Sequence, residues 1–355
     1  MAEKEKIISE RQLMEFCVQT LQKAGLPQED AWTVADSLIA ANLRGVDSHG
    51  VLRLPSYIRR LLDGGANPKP QIQVIRRGAS FVRLDGDRGM GQVVGKYAMK
   101  ETLELASQTG IGVATVCNSD HFGAAAYYAM MALKQDMIGL AITNAAPIMC
   151  VWGGKGRFIG NNPIAIAVPA GKEFPIVLDM AVSNVAGGKV RIAEKKGIKI
   201  PLDWIVDEEG NPTDDPNAFG GKTGGSLLPL GYKGYGLGVM GEILSGILSG
   251  GRILDEMPLW LVDTSLTVGI GHFMLAIHVD AFIPIQEFKN RADHLVQRIH
   301  SAPRAKGVER IYLPGEIEHL SELKRRAEGI PVSEAVFQDL VRIGHELNIG
   351  TEILS

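Results

Sequence analysis

Apolar residues recur at helical spacing through the first stretch of the chain and predict three helices. Ser9 and Gln12 have the spacing of a capping box, Leu13, Phe16, Cys17 and Leu21 follow on one face, and Gly25 closes the segment. Pro27 with Glu29 and Asp30 opens a second helix that carries Trp32, Ala35, Leu38 and Ile39 on one face to about Leu43. The third starts near Pro55, presents Tyr57, Ile58, Leu61 and Leu62, and stops at Gly64-Gly65. A polar loop, Arg44-Gly45-Val46-Asp47-Ser48-His49-Gly50, is pinned between the second and third.

After the linker Asn67-Pro68-Lys69-Pro70 the pattern changes. Short apolar runs bounded by Gly, Pro or Asn predict strands at Ile72–Ile75, Ser80–Leu84, Gly112–Val116, Ile138–Thr143, Ile164–Val168, Ile176–Leu178, Phe273–Val279 and Arg310–Leu313. Helices are expected over about Gln92–Gln108, Ala124–Lys134, Gly234–Leu248, Ile285–Ile299, Leu320–Glu328 and Ser333–Leu347, with an acidic, turn-rich loop at Asp207–Pro216. Strands and helices mix without strict βαβ alternation. The expectation is an α/β chain with a sheet topology of its own.

Composition narrows the function classes. The 355 residues suffice for about two domains, and 45% hydrophobic with 22% charged residues describes a folded chain. Glycine is in excess, at 42 residues, yet no G-X-Y period or Gly/Ser tract accompanies it. A net charge of −3 supplies no basic field for a phosphate backbone, so no nucleic-acid partner is expected. Cys17, Cys117 and Cys150 are widely spaced and odd in number, which predicts reduced thiols in a cytoplasmic protein. The N-terminal run MAEKEKIISERQ lacks a signal peptide's apolar region, and no uninterrupted apolar run predicts a membrane span.

Several segments carry candidate chemistry. Gly89-Met90-Gly91-Gln92-Val93-Val94-Gly95 opens a helix. Its G-x-G-x-x-x-G spacing and the intervening Asp85-Gly86-Asp87-Arg88 depart from the dinucleotide fingerprint, so a standard Rossmann domain is not expected. His49 shares its loop with Ser48, Asp47, Arg44 and Arg53. That set suits a carboxylate-bearing carbonyl compound, because guanidinium binds carboxylate as a fork and imidazole moves protons; it also suits an ordinary capped loop.

His121, in Cys117-Asn118-Ser119-Asp120-His121-Phe122-Gly123, falls between an apolar strand and an alanine-rich helix, a common place for a catalytic base. Asp120 either orients it or caps the helix. Gly153-Gly154-Lys155-Gly156-Arg157-Phe158-Ile159-Gly160-Asn161-Asn162-Pro163 can surround an anion with backbone N–H groups, or serve tight turns. Asp179-Met180-Ala181 ends a strand where a carboxylate can meet a ribose hydroxyl or a catalytic His, or simply terminate the strand, and Lys233, among glycines, either reaches a phosphate or is solvated. His272, His278, His294, His300, His319 and His345 show no metal-ligand spacing, so no metal site is expected, and no G-x-S-x-G elbow occurs.

Taken together, six segments resemble, in order and spacing, the malate/L-lactate dehydrogenase family whose NAD(P)-binding fold is not of the Rossmann type. They are Arg44 to Gly50 with Arg53, Asp120 to Gly123, Gly153-Gly154 followed by Gly160 to Pro163, Asp179 to Ala181 with Lys189, Tyr232 to Gly236, and Pro314 to Glu316. The resemblance runs through nearly the whole chain. It implies a central mixed sheet that binds the cofactor over residues 71–284, joined by a strand at about 310–313 and by Gly315–Ile317. A helical substrate-side domain is implied for residues 1–70 with about 285–355.

The implied activity is NAD(P)-dependent interconversion of a small 2-hydroxy acid and its 2-oxo acid, with a ketimine or 2,3-diketogulonate-type reduction as the alternative. A catalytically silent binding protein on the same scaffold is a further alternative, opposed by the joint presence of His49, Arg53, His121, Asp179 and Lys233. By the same resemblance His121 is the general acid/base, Ser48, His49 and Arg53 hold substrate with Arg53 as carboxylate anchor, and a homodimer is implied. NAD or NADP is implied to bind at Asn144, Ala145, Asn162, Asp179, Met180, Ala181, Lys233, Gly315, Glu316 and Ile317. Ala145 stands where some relatives carry a cofactor-contacting serine. Asp120 stands where relatives often have Asn or Gly, and a carboxylate there is expected to raise the pKa of His121.

Overall fold

The computed structural model describes residues 5–219 and 224–354. Strand β1 (Glu5–Ile8) leads into helices α1 (Glu10–Lys23), α2 (Gln28–Leu43) and α3 (Leu54–Leu62). Ser9 and Gln12 close the capping box: the Ser9 hydroxyl accepts the Gln12 N–H at 3.2 Å and the Gln12 amide oxygen accepts the Ser9 N–H at 3.1 Å. The apolar faces of the three helices bury Leu13, Phe16, Leu38, Ile39, Tyr57 and Ile58 in one cluster. Trp32 and Leu62 differ from the predicted faces and stay largely exposed. Between α2 and α3 the chain makes two 3₁₀ turns, Asp47–His49 and Val51–Arg53. Asn42 holds them, accepting the Val51 N–H at 2.8 Å and donating to Asp47 at 2.6 Å.

The middle of the chain supplies β2 (Gln73–Arg77), β3 (Phe81–Asp85), α4 (Gly91–Thr109), β4 (Ile111–Ser119), α5 (Ala126–Ala129), β5 (Met137–Thr143), β6 (Ile164–Val168) and β7 (Ile176–Met180). There follow α6 (Gly187–Lys196), β8 (Ile205–Val206), β9 (Pro212–Thr213), β10 (Ser226–Leu227), α7 (Gly231–Glu242) and β11 (Ile270–His278). Helix α8 (Ile285–His300), α9 (Glu316–Glu328), β12 (Ile330–Ser333) and α10 (Glu334–Glu346) complete the described order.

Seven strands form the main sheet in the order β2-β3-β4-β11-β5-β6-β7. Its β3–β4 pair is parallel and its other pairs are antiparallel, so the sheet is mixed and the fold is α/β without Rossmann topology. Alanines such as Ala114, Ala141, Ala165 and Ala276 populate the face packed with α4 and α5, and their small side chains let those helices lie close.

Some predicted elements differ. Arg310–Leu313 is not a strand; it runs irregularly until Pro314, whose carbonyl accepts the Val177 N–H at 3.1 Å. Proline has no N–H to continue a ladder. The helix predicted over Ala124–Lys134 is α only at α5 and tightens to a 3₁₀ turn, Met130–Gln135, that Asp136 ends at φ 53°. Helix α7 starts earlier than predicted and widens into a π turn, Ile243–Ile247.

Strands β1 and β12 pair antiparallel, Glu5 opposite Ser333 through Ile8 opposite Ile330, and bring both ends of the chain to one layer. Helix α10 and β12 pack into the N-terminal helical cluster through Leu340, Ile343 and Ile330. Helix α8 is instead anchored beside the sheet, where Asp293 accepts backbone N–H groups of Gly171, Lys172 and Glu173 at 2.8 to 3.2 Å. Among the described residues no helix is long and apolar enough to cross a membrane. The three cysteines are free and buried.

Candidate active site

Strand β4 ends at Ser119 and delivers Asp120-His121-Phe122-Gly123 to the N-terminal end of α4. That approach needs a glycine. A Cβ on Gly91 would stand 2.2 Å from the Asp120 carbonyl oxygen and 2.6 Å from that of His121. The G-x-G-x-x-x-G segment therefore brings a helix end against the His121 turn, a packing role in place of the fingerprint geometry it lacks.

Around His121 the structure assembles side chains from distant parts of the chain. Its Nδ1 is hydrogen-bonded to the Tyr57 hydroxyl at 2.7 Å, and its ring centroid lies 5.2 Å from that of Trp260. The His49 ring is stacked 5.8 Å away at an interplanar angle of 18°. The Ser48 hydroxyl meets His49 Nδ1 at 2.9 Å, and Arg53 Nε donates to the Ser48 carbonyl at 2.8 Å. Ser48, His49 and His121 line a cavity of about 1310 Å³; Arg53 stands outside the lining, near enough to both imidazoles to act on them electrostatically.

The cations nearest His121 are Arg53 and Arg60. Burial pushes the His121 imidazole well below its ordinary pKa, and Arg53, His49, His272 and Arg60 push the same way. His49 is lowered to about 4, first by burial and then by Arg53. Both rings are neutral at pH 7. The expected rise from Asp120 is thus overturned, for a geometric reason. The Asp120 carboxylate is turned to Arg60, whose Nη2 and Nε donate to it at 2.5 and 2.9 Å, and from His121 it takes only the backbone N–H, at 2.6 Å.

The segments expected at the cofactor divide. Asn144, Ala145, Asp179, Ala181, Gly315 and Ile317 line the same cavity as His121. Asp179 faces into it and accepts the Ala126 N–H at 2.9 Å, and enclosure by the protein pushes its carboxyl up to about 6. Met180 stands outside the lining.

Asn162 is fully buried. Its amide donates to Glu242 at 2.7 Å and to the Gly238 carbonyl at 3.0 Å, and its oxygen accepts the Ala145 N–H at 3.0 Å. Glu316 is likewise buried, bonded to His300, Arg310 and the Leu313 N–H. Lys233 lies on the exposed side of α7, away from the cavity lining. In the glycine-rich segment before Asn162, Arg157 donates to the carbonyls of Gly225 and Phe219 and ties loops together.

Sequence reasoning passed over Tyr57, Arg60 and Trp260 as site residues. A signal for two of them was present, since Tyr57 and Arg60 fall at i and i+3 on one face of α3, and Arg53, at its N-cap, is four residues before Tyr57. An arginine on the apolar face of a helix asks for a buried partner. Among the described residues no group of three His, Cys, Asp or Glu side chains is placed to hold a metal ion.

Paired neutral imidazoles beside an arginine, in a cavity on a mixed sheet, are the equipment of an α/β enzyme that moves a proton on an anionic substrate. Comparison with known proteins makes the class specific. The family described as malate/L-lactate dehydrogenase matches residues 8–341. Malate dehydrogenase of Pyrococcus abyssi is 42% identical over 98% of this chain and 96% of its own length. Sulfolactate dehydrogenase from Methanocaldococcus jannaschii superposes with a TM-score of 0.90 at 38% identity, covering 98% of this chain and 99% of that one. A delta1-piperideine-2-carboxylate reductase from Pseudomonas syringae superposes at 0.85 with 29% identity, covering 95% and 99%. The chain belongs to the malate/L-lactate dehydrogenase family and is an oxidoreductase of the hydroxy-acid dehydrogenase type.

Proposed function

We propose that this enzyme interconverts a small 2-hydroxy acid and its 2-oxo acid with NAD or NADP, His121 being the general acid/base. The observation that carries the reading is the His121 imidazole held by Tyr57, facing a cavity it shares with His49 and Asp179. The cavity suits a dinucleotide. It runs from the imidazoles to Asp179, whose carboxylate can accept ribose hydroxyls, and on to Gly315 and Ile317. A bound nicotinamide supplies the hydride acceptor for oxidation and the donor for reduction.

The protein's own groups do the rest. Arg53 attracts the substrate carboxylate, and Ser48 and His49 fix the oxygen that is oxidised or reduced. In oxidation His121 takes the hydroxyl proton on Nε2. This requires Nδ1 to carry hydrogen and donate it to the Tyr57 oxygen, the bond geometry of 2.7 Å. Tyr57 stays a phenol, because burial raises its pKa far above neutrality. In reduction the same Nε2 returns the proton.

Replacing His121 with Ala is expected to lower kcat by about 10²–10⁴-fold while nicotinamide binding, followed by fluorescence, persists. Unchanged turnover would refute the assignment. Reduction of a cyclic ketimine is the second reading, favoured by the likeness to the piperideine-2-carboxylate reductase, since both substrates need a carboxylate anchor and a proton donor. Pyruvate, oxaloacetate and piperideine-2-carboxylate, each assayed with NADH and NADPH, separate the two readings and the two cofactors.

A second copy of this chain is proposed as the partner. The support is an apolar stripe on α7 and the π turn, Leu237, Met240, Ile243 and Ile247, that the single chain leaves exposed.

A further inference from the structure

The reading of His121 as acid/base leaves the buried Arg60 without a role. Arg60 is fully buried, and its guanidinium is bonded on every side. Nη2 and Nε donate to Asp120 Oδ2, Nη1 donates to the carbonyls of Thr264 at 3.2 Å and Leu266 at 3.1 Å, and Nη2 also reaches those of Gly65 at 3.0 Å and Leu266 at 3.1 Å. Asp120 spends its other oxygen on the His121 N–H. The guanidinium carbon lies 5.5 Å from the Trp260 ring, which itself packs on His121. One cation thus joins α3, the His121 turn and the segment that carries Trp260.

A pair of apolar side chains would fill this space without the cost of desolvating two charges, so packing alone does not account for it. The surroundings of His121 do. Tyr57 and Arg60 face it from α3, Arg53 from the 3₁₀ turn Val51–Arg53, His49 from the turn Asp47–His49 and His272 from β11; Trp260 is uncharged. Asp120, on the same turn as His121, is the carboxylate among these groups.

We propose that Arg60 and Asp120 are positioning residues of the proton-transfer step, holding the His121 turn and the Trp260 ring packed on it as one body and balancing the charge the imidazole meets. The inference rests on the His121 reading above. With Asp120 neutralised, Arg60 faces His121 uncompensated and the imidazolium is disfavoured further. With both charges removed, the balance returns. With lysine in place of arginine the charge remains, but the fork that reaches residues 264 and 266 is lost and the segment that packs the Trp260 ring on His121 loosens.

The test uses the full-length protein as wild type, D120N, the double variant R60Q/D120N, and R60K. The His121 imidazole is titrated by NMR in histidine-labelled protein, with H121A identifying its resonance. D120N should titrate about one pH unit lower than wild type, and the double variant should return towards it. R60K should leave the titration in place and raise KM for the hydroxy acid several-fold. A purely structural pair would lower kcat in all three variants with the titration unmoved, and that result overturns the proposal. So does an R60K enzyme with wild-type KM. Should D120N not fold, a shifted titration in the double variant, or an unaltered KM in R60K, refutes the proposal by itself. An active H121A brings down both readings, whereas an inactive H121A with an unmoved D120N titration brings down this one alone.

Discussion

His121 is a base whose protonated form the protein disfavours, and that sets how each direction of the reaction answers to pH. Oxidation needs the neutral ring, which is the form present at and above pH 7, because burial and Arg53 lower the imidazole well below its ordinary value. Reduction needs the imidazolium, which becomes scarcer tenfold for each pH unit above that pKa. We expect kcat/KM for oxidation to be nearly flat from pH 8 to 6.5, and kcat/KM for reduction to fall about tenfold per unit as pH rises over the same range. A reduction profile that is flat there would place the proton donor elsewhere.

The same lowering carries a stability consequence at His272. Its Nδ1 meets the Thr143 hydroxyl at 2.9 Å, its Nε2 meets the Ser119 hydroxyl at 2.8 Å, and burial takes it to about 3. A group depressed in the folded state contributes stability above its unfolded pKa of about 6.5 and loses it as pH falls through the folded value. His49, lowered to about 4, acts in the same direction. Urea melts should therefore show stability declining from pH 6.5 towards pH 4. The contribution of each ring approaches about 1.4 kcal/mol per pH unit, and His272→Asn should remove one ring's share of the slope.

Among elements, the contact between β11 and the π turn after α7 is the least forgiving. A Cβ on Gly271 would stand 1.9 Å from the Ser245 carbonyl oxygen. Gly271 also donates its N–H to Asn144 at 2.9 Å, and Asn144 reaches the Arg252 carbonyl at 2.8 Å, so the turn, the strand and the cavity wall share one joint. Gly271→Ala is expected to cost about 1–3 kcal/mol, seen as a Tm several degrees lower, because the helix must back away from the sheet. An unchanged Tm would show that the turn can shift freely. This joint belongs to the part of the fold that local pattern does not reveal.

Capping at Ser9, the face of α1, most of the faces of α2 and α3 apart from Trp32 and Leu62, and β4 to β7 were legible, because each follows from residues within one or two turns or one strand of each other. Strands β1 and β12 were missed, being four residues each and paired only across the length of the chain. The site divides the same way. Ser48, His49, His121 and Asp179 stand in legible segments, whereas Tyr57 reaches His121 from 64 positions away and Arg60 reaches Leu266 from 206. The glycine excess was visible as a number, and its use as close approach, at Gly91 and Gly271, needed the partners in place.

At the scale of the molecule, α7 departs from the other helices. It is nearly uncharged, and its outward residues Leu237 and Met240 are each about half exposed, a stripe that Ile243 and Ile247 of the π turn continue. An apolar stripe of this kind in a chain with net charge −3 invites self-association, because a second copy can cover it with the same surface. The helix that carries the stripe adjoins the cavity. Helix α7 is seated on the chain just beyond Ala181, with the Leu230 N–H bonded to the Val182 carbonyl at 2.8 Å, and Ala181 lines the cavity. Sedimentation velocity at micromolar concentration should give about twice the 38.3 kDa chain mass. The double variant M240D/I247D should sediment as a monomer, since two carboxylates buried at such an interface would be costly. If assembly braces α7 against residues 181–184, the monomer should also bind the nicotinamide more weakly in fluorescence titration. A wild-type monomer, or a charged variant that remains dimeric, would move the interface away from α7, and dimer loss without any change in cofactor affinity would uncouple the stripe from the site.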